Sequence, residues 1–318
     1  ALHFMSHAAA AFFSFFSFLL LFSQKMKKEV KKMMFLAGIF SAFSIVIDKS
    51  LFLISLFLIF YSFIFRERRF FLLGFSLAIL PLFLYNASTF KGIFEFGSAY
   101  IDREIYRSAY PQSTFSVKII KAGLGTELES ILRYFHFIPS LPNIFIIYRI
   151  LFDPYRGFFF YSPIFLLSIF GLVEMFKKFK IEAILILFIL ISFLCIISMR
   201  KNWWGGYCFG ERYLLPIVPF FTLPLIFSYK KFKKIFILLF IVSAAINFLG
   251  LQPAEDWAYD WNNMDVSKEW QNKQNSFQII RNPLLEHYLP LTLKYGPRSN
   301  IFEQLINGYV SIDIRFPP

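Results

Sequence analysis

The sequence predicts an all-α integral membrane protein of about eight transmembrane helices with an extracytoplasmic C-terminal tail. Two observations carry this: long apolar runs, and basic residues gathered in the short loops between alternate runs. The 318 residues are 57% hydrophobic and include 47 phenylalanines, more aromatic surface than one soluble core of this length can bury. In a bilayer those rings need no burial, because lipid tails are the solvent.

Runs long enough to cross ~30 Å of hydrocarbon lie at 2–22, 70–85, 158–176, 181–199, 213–229 and 235–251. A further region, 33–65, is interrupted by Asp48-Lys49-Ser50. As one helix it would run about 50 Å at ~1.5 Å per residue, too long for a comfortable crossing. It therefore reads as two short helices, 33–47 and 51–65, which brings the total to eight.

Charge tests this division. The loops 25–32, 66–69, 177–180 and 230–234 hold 15 of the 33 Lys and Arg, against only Glu29 and Glu67, so they carry the whole net charge of +13. Short Lys/Arg-rich loops stay cytoplasmic, and all four share that side only if 33–65 crosses twice. In a soluble protein such a charge would point to nucleic acid; placed here it reports membrane sidedness, and no nucleic-acid partner is expected. The same sidedness sends outside a loop at 86–157, a loop at 200–212 and the tail. The chain thus divides into a polytopic membrane domain, 1–251, and an extracytoplasmic tail, 252–318, rich in Asn, Gln, Trp and charge and read as a small irregular lid.

Metal and cofactor signals are sparse. The two cysteines, Cys195 and Cys208, imply no disulfide framework, and His7, His136 and His287 lack ligand spacing. No phosphate-cradling Gly-rich loop or serine-nucleophile elbow is present. No metal site or cofactor is predicted, and a divalent cation is left open.

Three outer-face clusters stand out against this apolar background. One is Asp153-Pro154-Tyr155-Arg156-Gly157, leading into Phe158-Phe159-Phe160-Tyr161-Ser162-Pro163. Another is the run from Asn202 through Trp203-Trp204-Gly205-Gly206 to Glu211-Arg212-Tyr213. The third is Asp48-Lys49, between helices too short to lift a charge clear of the bilayer, where it usually faces a cavity or a partner. A purely interfacial reading competes at each position: Trp and Tyr form aromatic belts, Arg snorkels to headgroups, and Asp48 and Lys49 neutralise one another. The functional reading is joint. Lys49, Arg156 and Arg212 all lie near the outer boundary, at the depth of a phosphate on a membrane-anchored carrier, and Arg binds phosphate through a two-point fork. The indoles of Trp203 and Trp204 suit the apolar face of a sugar ring.

The stretch Tyr155-Arg156-Gly157-Phe158-Phe159-Phe160-Tyr161-Ser162-Pro163 resembles the "RGLF-YSP" segment of prokaryotic polytopic glycosyltransferases. These are relatives of the protein O-mannosyltransferases and of the aminoarabinose transferase of lipid A, within the C-type glycosyltransferase superfamily. The stretch Trp204-Gly205-Gly206-Tyr207-Cys208-Phe209-Gly210-Glu211-Arg212-Tyr213-Leu214-Leu215-Pro216 resembles their "WGG-x-x-FG-x-RYL-x-P" segment. The resemblance runs loosely from His7 to about Pro224 and leaves the tail unmatched. It implies transfer of a sugar from a polyprenyl- or dolichyl-phosphate-linked donor to a protein, lipid or glycan acceptor on the outer face. It also implies a multi-pass protein of a prokaryotic plasma membrane with its C-terminus outside, and membrane lipids as neighbours.

By the same resemblance Lys49, Arg156 and Arg212 would bind the donor phosphate and stabilise it as a leaving group. Trp203, Trp204 and Tyr161 would contact sugar or acceptor. In that family the general base is an acidic side chain of the first outer loop. The chain begins at Ala1 with a span entering from outside, so further spans carrying that loop are expected upstream. The outer carboxylates Asp102, Glu104, Asp153 and Glu211 are the substitutes within the chain. Alternatives from other classes are a transporter or flippase of lipid-linked glycans, and a non-catalytic membrane subunit or remnant.

Overall fold

Every apolar run that the structure describes is helical in a computed structural model covering residues 6–26, 30–90, 141–200, 203–205, 209–250, 273 and 275–295. Among these residues there is no β-strand. The chain divides into two compact units, Ala9–Leu141 and Pro142–Pro318 with Ala1–Ala8.

In the first unit, α1 (Ser6–Met26) is followed by α2 (Lys31–Ile47), a 3-10 turn at Lys49–Leu51, α3 (Phe52–Ser62) and α4 (Arg68–Phe90). The interruption expected at Asp48 is real. Its backbone leaves the helical region at φ −146°, ψ 110°, and its carboxylate accepts the Ser50 N–H at 2.9 Å, capping the turn that starts the next helix. The acidic residue that argued against one long helix is thus the group that ends α2.

Small residues set the packing of this unit. A Cβ at Gly38 would overlap the carbonyl oxygen of Phe71, and one at Gly74 would overlap that of Phe35, so α2 and α4 meet backbone to backbone. Ala42, Ile45 and Ile79 fill the adjoining core. Serines tie the other helices: Ser17 donates to the Ala37 carbonyl at 2.7 Å, and Ser55 donates to the Ser41 carbonyl at 2.9 Å. Where lipid supplies no hydrophobic drive between helices, close backbone approach and hydroxyl hydrogen bonds hold them together.

The second unit opens with α5 (Ile144–Phe152), a short α6 (Phe158–Tyr161), a 3-10 turn at Pro163–Phe165, and α7 (Leu166–Lys178). Then come α8 (Lys180–Ser198), a 3-10 segment at Arg212–Ile217, α9 (Val218–Tyr229) and α10 (Lys233–Leu249). A π-turn at Leu284–Tyr288 and α11 (Leu289–Tyr295) belong to the tail. Within the stretch 86–157 lies a helix, α5, capped by Asn143, whose side chain accepts from the Phe145 and Ile146 N–H groups. One sequence expectation needs correction here. The run 158–176 is not one helix: it breaks at Ser162, where Pro163 supplies no N–H to continue the ladder.

The break is repaired from α10. The Asn247 amide donates to the carbonyls of Tyr161 and Ser243 and to the Ser162 hydroxyl, and the Ile164 N–H donates to Ser243 Oγ at 3.0 Å. Inside a bilayer the freed backbone groups must be satisfied by protein. Ser243 is accordingly the only fully buried side chain of α10. Its neighbours Leu238 and Phe240 remain 60% and 56% exposed, as lipid-facing residues would. Gly171 lets α7 lie against the Pro224 carbonyl of α9, and Ser168 donates to the Phe221 carbonyl at 2.8 Å.

Among the described residues, four helical segments are long and apolar enough to cross a membrane: Ser6–Met26, Arg68–Thr89, Lys180–Ser198 and Arg212–Tyr229. The chain carries the helices of a membrane protein.

Candidate functional site

Arg156 and Arg212 come together, and a third arginine joins them. The third is Arg200, just beyond α8, and all three act electrostatically on one carboxylate, Glu211. Arg156 stands in the turn between α5 and α6, where its own N–H and that of Gly157 donate to the Asp153 carbonyl. A Cβ at Gly157 would strike that same backbone, so the turn requires glycine. Arg212 opens the 3-10 segment, which Glu211 caps by accepting the Tyr213 N–H at 3.1 Å. Gly205 and Gly210 hold φ of 78° and 67°, a left-handed conformation open to glycine, and so shape the segment leading into Glu211.

Aromatic rings support the cations. The guanidinium carbons of Arg200 and Arg212 lie 4.7 Å and 5.4 Å from the Tyr213 ring centre, and that of Arg156 lies 4.9 Å from Tyr155. His7 meets the Tyr213 ring edge-on at 6.3 Å. Glu211 is only 9% exposed. One of its oxygens serves the Tyr213 N–H; the other, Oε2, has no hydrogen-bond partner among the described residues, nor do the Nε groups of Arg200 and Arg212. Burial pushes the Glu211 carboxyl up to about 8, against the pull of the Tyr213 N–H and the three arginines. The carboxylate therefore lies within the field of three cations, with no ion pair to any of them among the described residues.

The remaining sequence candidates divide by environment. Trp203 is fully buried and packs edge-on against Trp204 at 6.3 Å. Tyr161 is 4% exposed; its hydroxyl donates to the Tyr155 carbonyl at 3.3 Å, and its ring meets Phe209 at 4.7 Å. Both are framework here, and of the three aromatic candidates Trp204 is the one partly exposed. Lys49 lies in the 3-10 turn of the first unit. Asp102 and Glu104 lie outside the described residues.

Asp153 is held within the framework: its carboxylate is fully buried, pairs with Arg149 and accepts the Tyr155 N–H at 2.8 Å. Arg149 in turn donates to the carbonyls of Lys273, Ser276 and Gln278, pinning the tail against α5. Phe277 adds ring contacts to Phe145 and Tyr148 at 4.8 Å and 5.2 Å. Burial lowers Arg149 and raises Asp153, so for each partner desolvation outweighs the mutual attraction. Sequence reasoning missed both Arg149 and Arg200. Arg200 had a visible signal, since it borders the same outer loop as Arg212; Arg149 had only Asp153 at i+4, because the carbonyls it serves lie more than a hundred positions away.

Among the described residues no group of three or more His, Cys, Asp or Glu is arranged to hold a metal ion. Compared with known proteins, the chain matches no family model, no curated protein and no solved structure.

Proposed function

We propose that the chain crosses the membrane about eight times with its tail on the non-cytoplasmic side. There the arginine cluster binds the phosphate of a polyprenyl- or dolichyl-phosphate-linked sugar, and the sugar is transferred to an acceptor on the outer face. The observation that carries this reading is the convergence of Arg156, Arg200 and Arg212 on a buried carboxylate that none of them clasps. Buried charges are normally neutralised by partners. Three guanidiniums, one buried and two half-buried, set against tyrosine rings invite an anion with several acceptor oxygens, which a phosphate has.

The chemistry follows from that placement. The phosphate is the leaving group, and negative charge grows on its oxygens as the bond to the anomeric carbon lengthens. Cations fixed there stabilise the transition state more than the ground state. Trp204, on the same outer segment as Arg200 and Arg212, is a partly exposed indole suited to an apolar sugar face. Glu211 stands on the leaving-group side, among the phosphate-binding cations, so we do not assign it the acceptor's proton; Asp102 and Glu104 are the candidates for that task. The likeness to the "RGLF-YSP" and "RYL-x-P" segments supports the same reading, since it falls on the turn and the 3-10 segment that carry Arg156 and Arg212.

The test is binding and turnover of polyprenyl-phosphate sugars by the purified chain in lipid nanodiscs. Arg156→Ala and Arg212→Ala should each weaken donor binding, and Arg212→Lys should do so by about 5–150-fold, the ~1–3 kcal/mol of a lost two-point contact. Unchanged binding in both alanine variants would reduce the cluster to interfacial anchors. A second reading, a transporter or flippase of lipid-linked glycans, draws on the helix broken at Ser162-Pro163, because interrupted helices frame transporter sites. Donor movement between leaflets of a sealed vesicle, without hydrolysis or transfer, would favour it.

A further inference from the structure

We infer that Glu211 is a built-in counter-ion for the arginine cluster, and that binding of a lipid-borne phosphodiester is coupled to uptake of a proton by Glu211. This rests on the donor-phosphate reading of the cluster and specifies how the site is regulated. The Glu211 carboxylate lies in the field of Arg156, Arg200 and Arg212, and the guanidiniums of Arg200 and Arg212 flank the Tyr213 ring next to it in the chain. The carboxylate is held in place by the Tyr213 N–H through one oxygen, while the other faces no donor. A phosphate brought to the same guanidiniums places a second negative charge beside a carboxylate that is already nine-tenths buried. Two like charges in one desolvated site cannot both stay ionised cheaply, and the one that can take a proton from water is the carboxyl. The diester cannot do so near neutral pH.

The direction agrees with the environment of the empty site, where burial already pushes the Glu211 carboxyl up to about 8. An added anion moves it further in the same direction. Near neutral pH the proton is then largely in place before the phosphate arrives, and all three guanidiniums are available to it. Above about 8 the ionised carboxylate competes with the phosphate for them. Among the described residues, the other charged or titratable groups about Glu211 are the three arginines themselves, Tyr213 on its own segment, Tyr155 beside Arg156, and His7 against the Tyr213 ring. His7 is the imidazole among them and is the control that must be run.

The experiment uses the full chain in nanodiscs and two probes, a short-chain polyprenyl-phosphate glucose and dimethyl phosphate, neither of which titrates between about pH 5 and 10. Titration calorimetry at about pH 8.5 in two buffers of different protonation enthalpy counts the protons taken up on binding. The wild-type chain should take up a large fraction of one proton per prenyl-phosphate glucose. Its affinity should fall with a limiting slope of about tenfold per pH unit above the crossover. Glu211→Gln should bind with no proton uptake and a flat pH profile, and His7→Gln should behave as wild type.

Binding that Arg156→Ala abolishes, but with no proton uptake in wild type, would overturn the coupling and leave the donor site standing. No binding of either probe at any pH would overturn both. Equal affinity for dimethyl phosphate would overturn the lipid-borne part, because the site would then read the phosphodiester alone. The two-buffer comparison needs no variant, so the coupling stays testable even if Glu211→Gln does not fold.

Discussion

Replacing Arg149 by Met keeps most of the side-chain length but removes the guanidinium that serves Asp153 and the carbonyls of Lys273, Ser276 and Gln278. Arg149 and Asp153 are both fully buried, so the change strands a carboxylate away from water and takes the guanidinium from the Ser276 and Gln278 carbonyls, while that of Lys273 keeps the Ser276 N–H and hydroxyl. Breaking a buried pair from one side costs about 3–5 kcal/mol. The carbonyls add little beyond this, because the tail can lift off and hydrate them. At ~1.4 kcal/mol per factor of ten, opening of the tail becomes roughly 10²–10⁴ times more frequent, which hydrogen exchange at residues 276–279 reads directly. The double variant Arg149→Met, Asp153→Leu separates the two contributions. Both ionic partners are shifted toward their neutral forms by burial, so removing both charges should restore thermal stability in detergent. It should not restore protection of 276–279, since the donor to the carbonyls is still missing. Recovery of tail protection in the double variant would refute this account and assign docking to the rings of Phe277, Phe145 and Tyr148.

Gly38→Leu should separate α2 from α4 and lower the thermal midpoint in detergent, a loss of ~3 kcal/mol or more, because even a Cβ overlaps the Phe71 carbonyl; an unchanged midpoint would mean the two helices do not meet there. Stability should also depend on pH through Glu211. Its carboxyl sits at about 8 in the folded chain, above the ordinary 4.5, so the folded state holds the proton more tightly than the unfolded one. The contribution is therefore complete below the ordinary carboxylate range and declines as pH rises through about 8, by a few kcal/mol at ~1.4 kcal/mol per tenfold change in proton affinity. Melting curves of Glu211→Gln should lack that decline. Single cysteines at positions 68 and 205 in a cysteine-free background should react with an impermeant reagent in intact cells only at 205; the reverse pattern would sink the proposed sidedness.

What the sequence makes legible follows from the kind of signal each feature leaves. Apolar length and Asp48 disclosed helices and an interruption, because a buried acidic residue between two apolar runs is costly whatever the tertiary structure. The break at Ser162-Pro163 left a weaker trace. Proline is tolerated within membrane helices when neighbours satisfy the backbone, and the satisfying groups, Ser243 and Asn247, are distant in sequence. Arg156 and Arg212 stood out as cations beside aromatics, and the structure brings them to one carboxylate with Arg200. The pairing of Asp153 with Arg149 was overlooked. An outer-face carboxylate looks available until its partner is known, and here the partner is one helical turn earlier and simultaneously holds the tail.

The helix break has a temporal meaning as well. Ribosomes deliver the chain from its N-terminus, so residues 158–178 reach the membrane before Ser243 and Asn247 have been made. Until α10 arrives, the Ile164 N–H and the Tyr161 carbonyl lack the partners they have in the finished fold. A buried backbone group without a partner is costly, so the broken geometry beside Arg156 is a late product of synthesis, set only once α10 has been made.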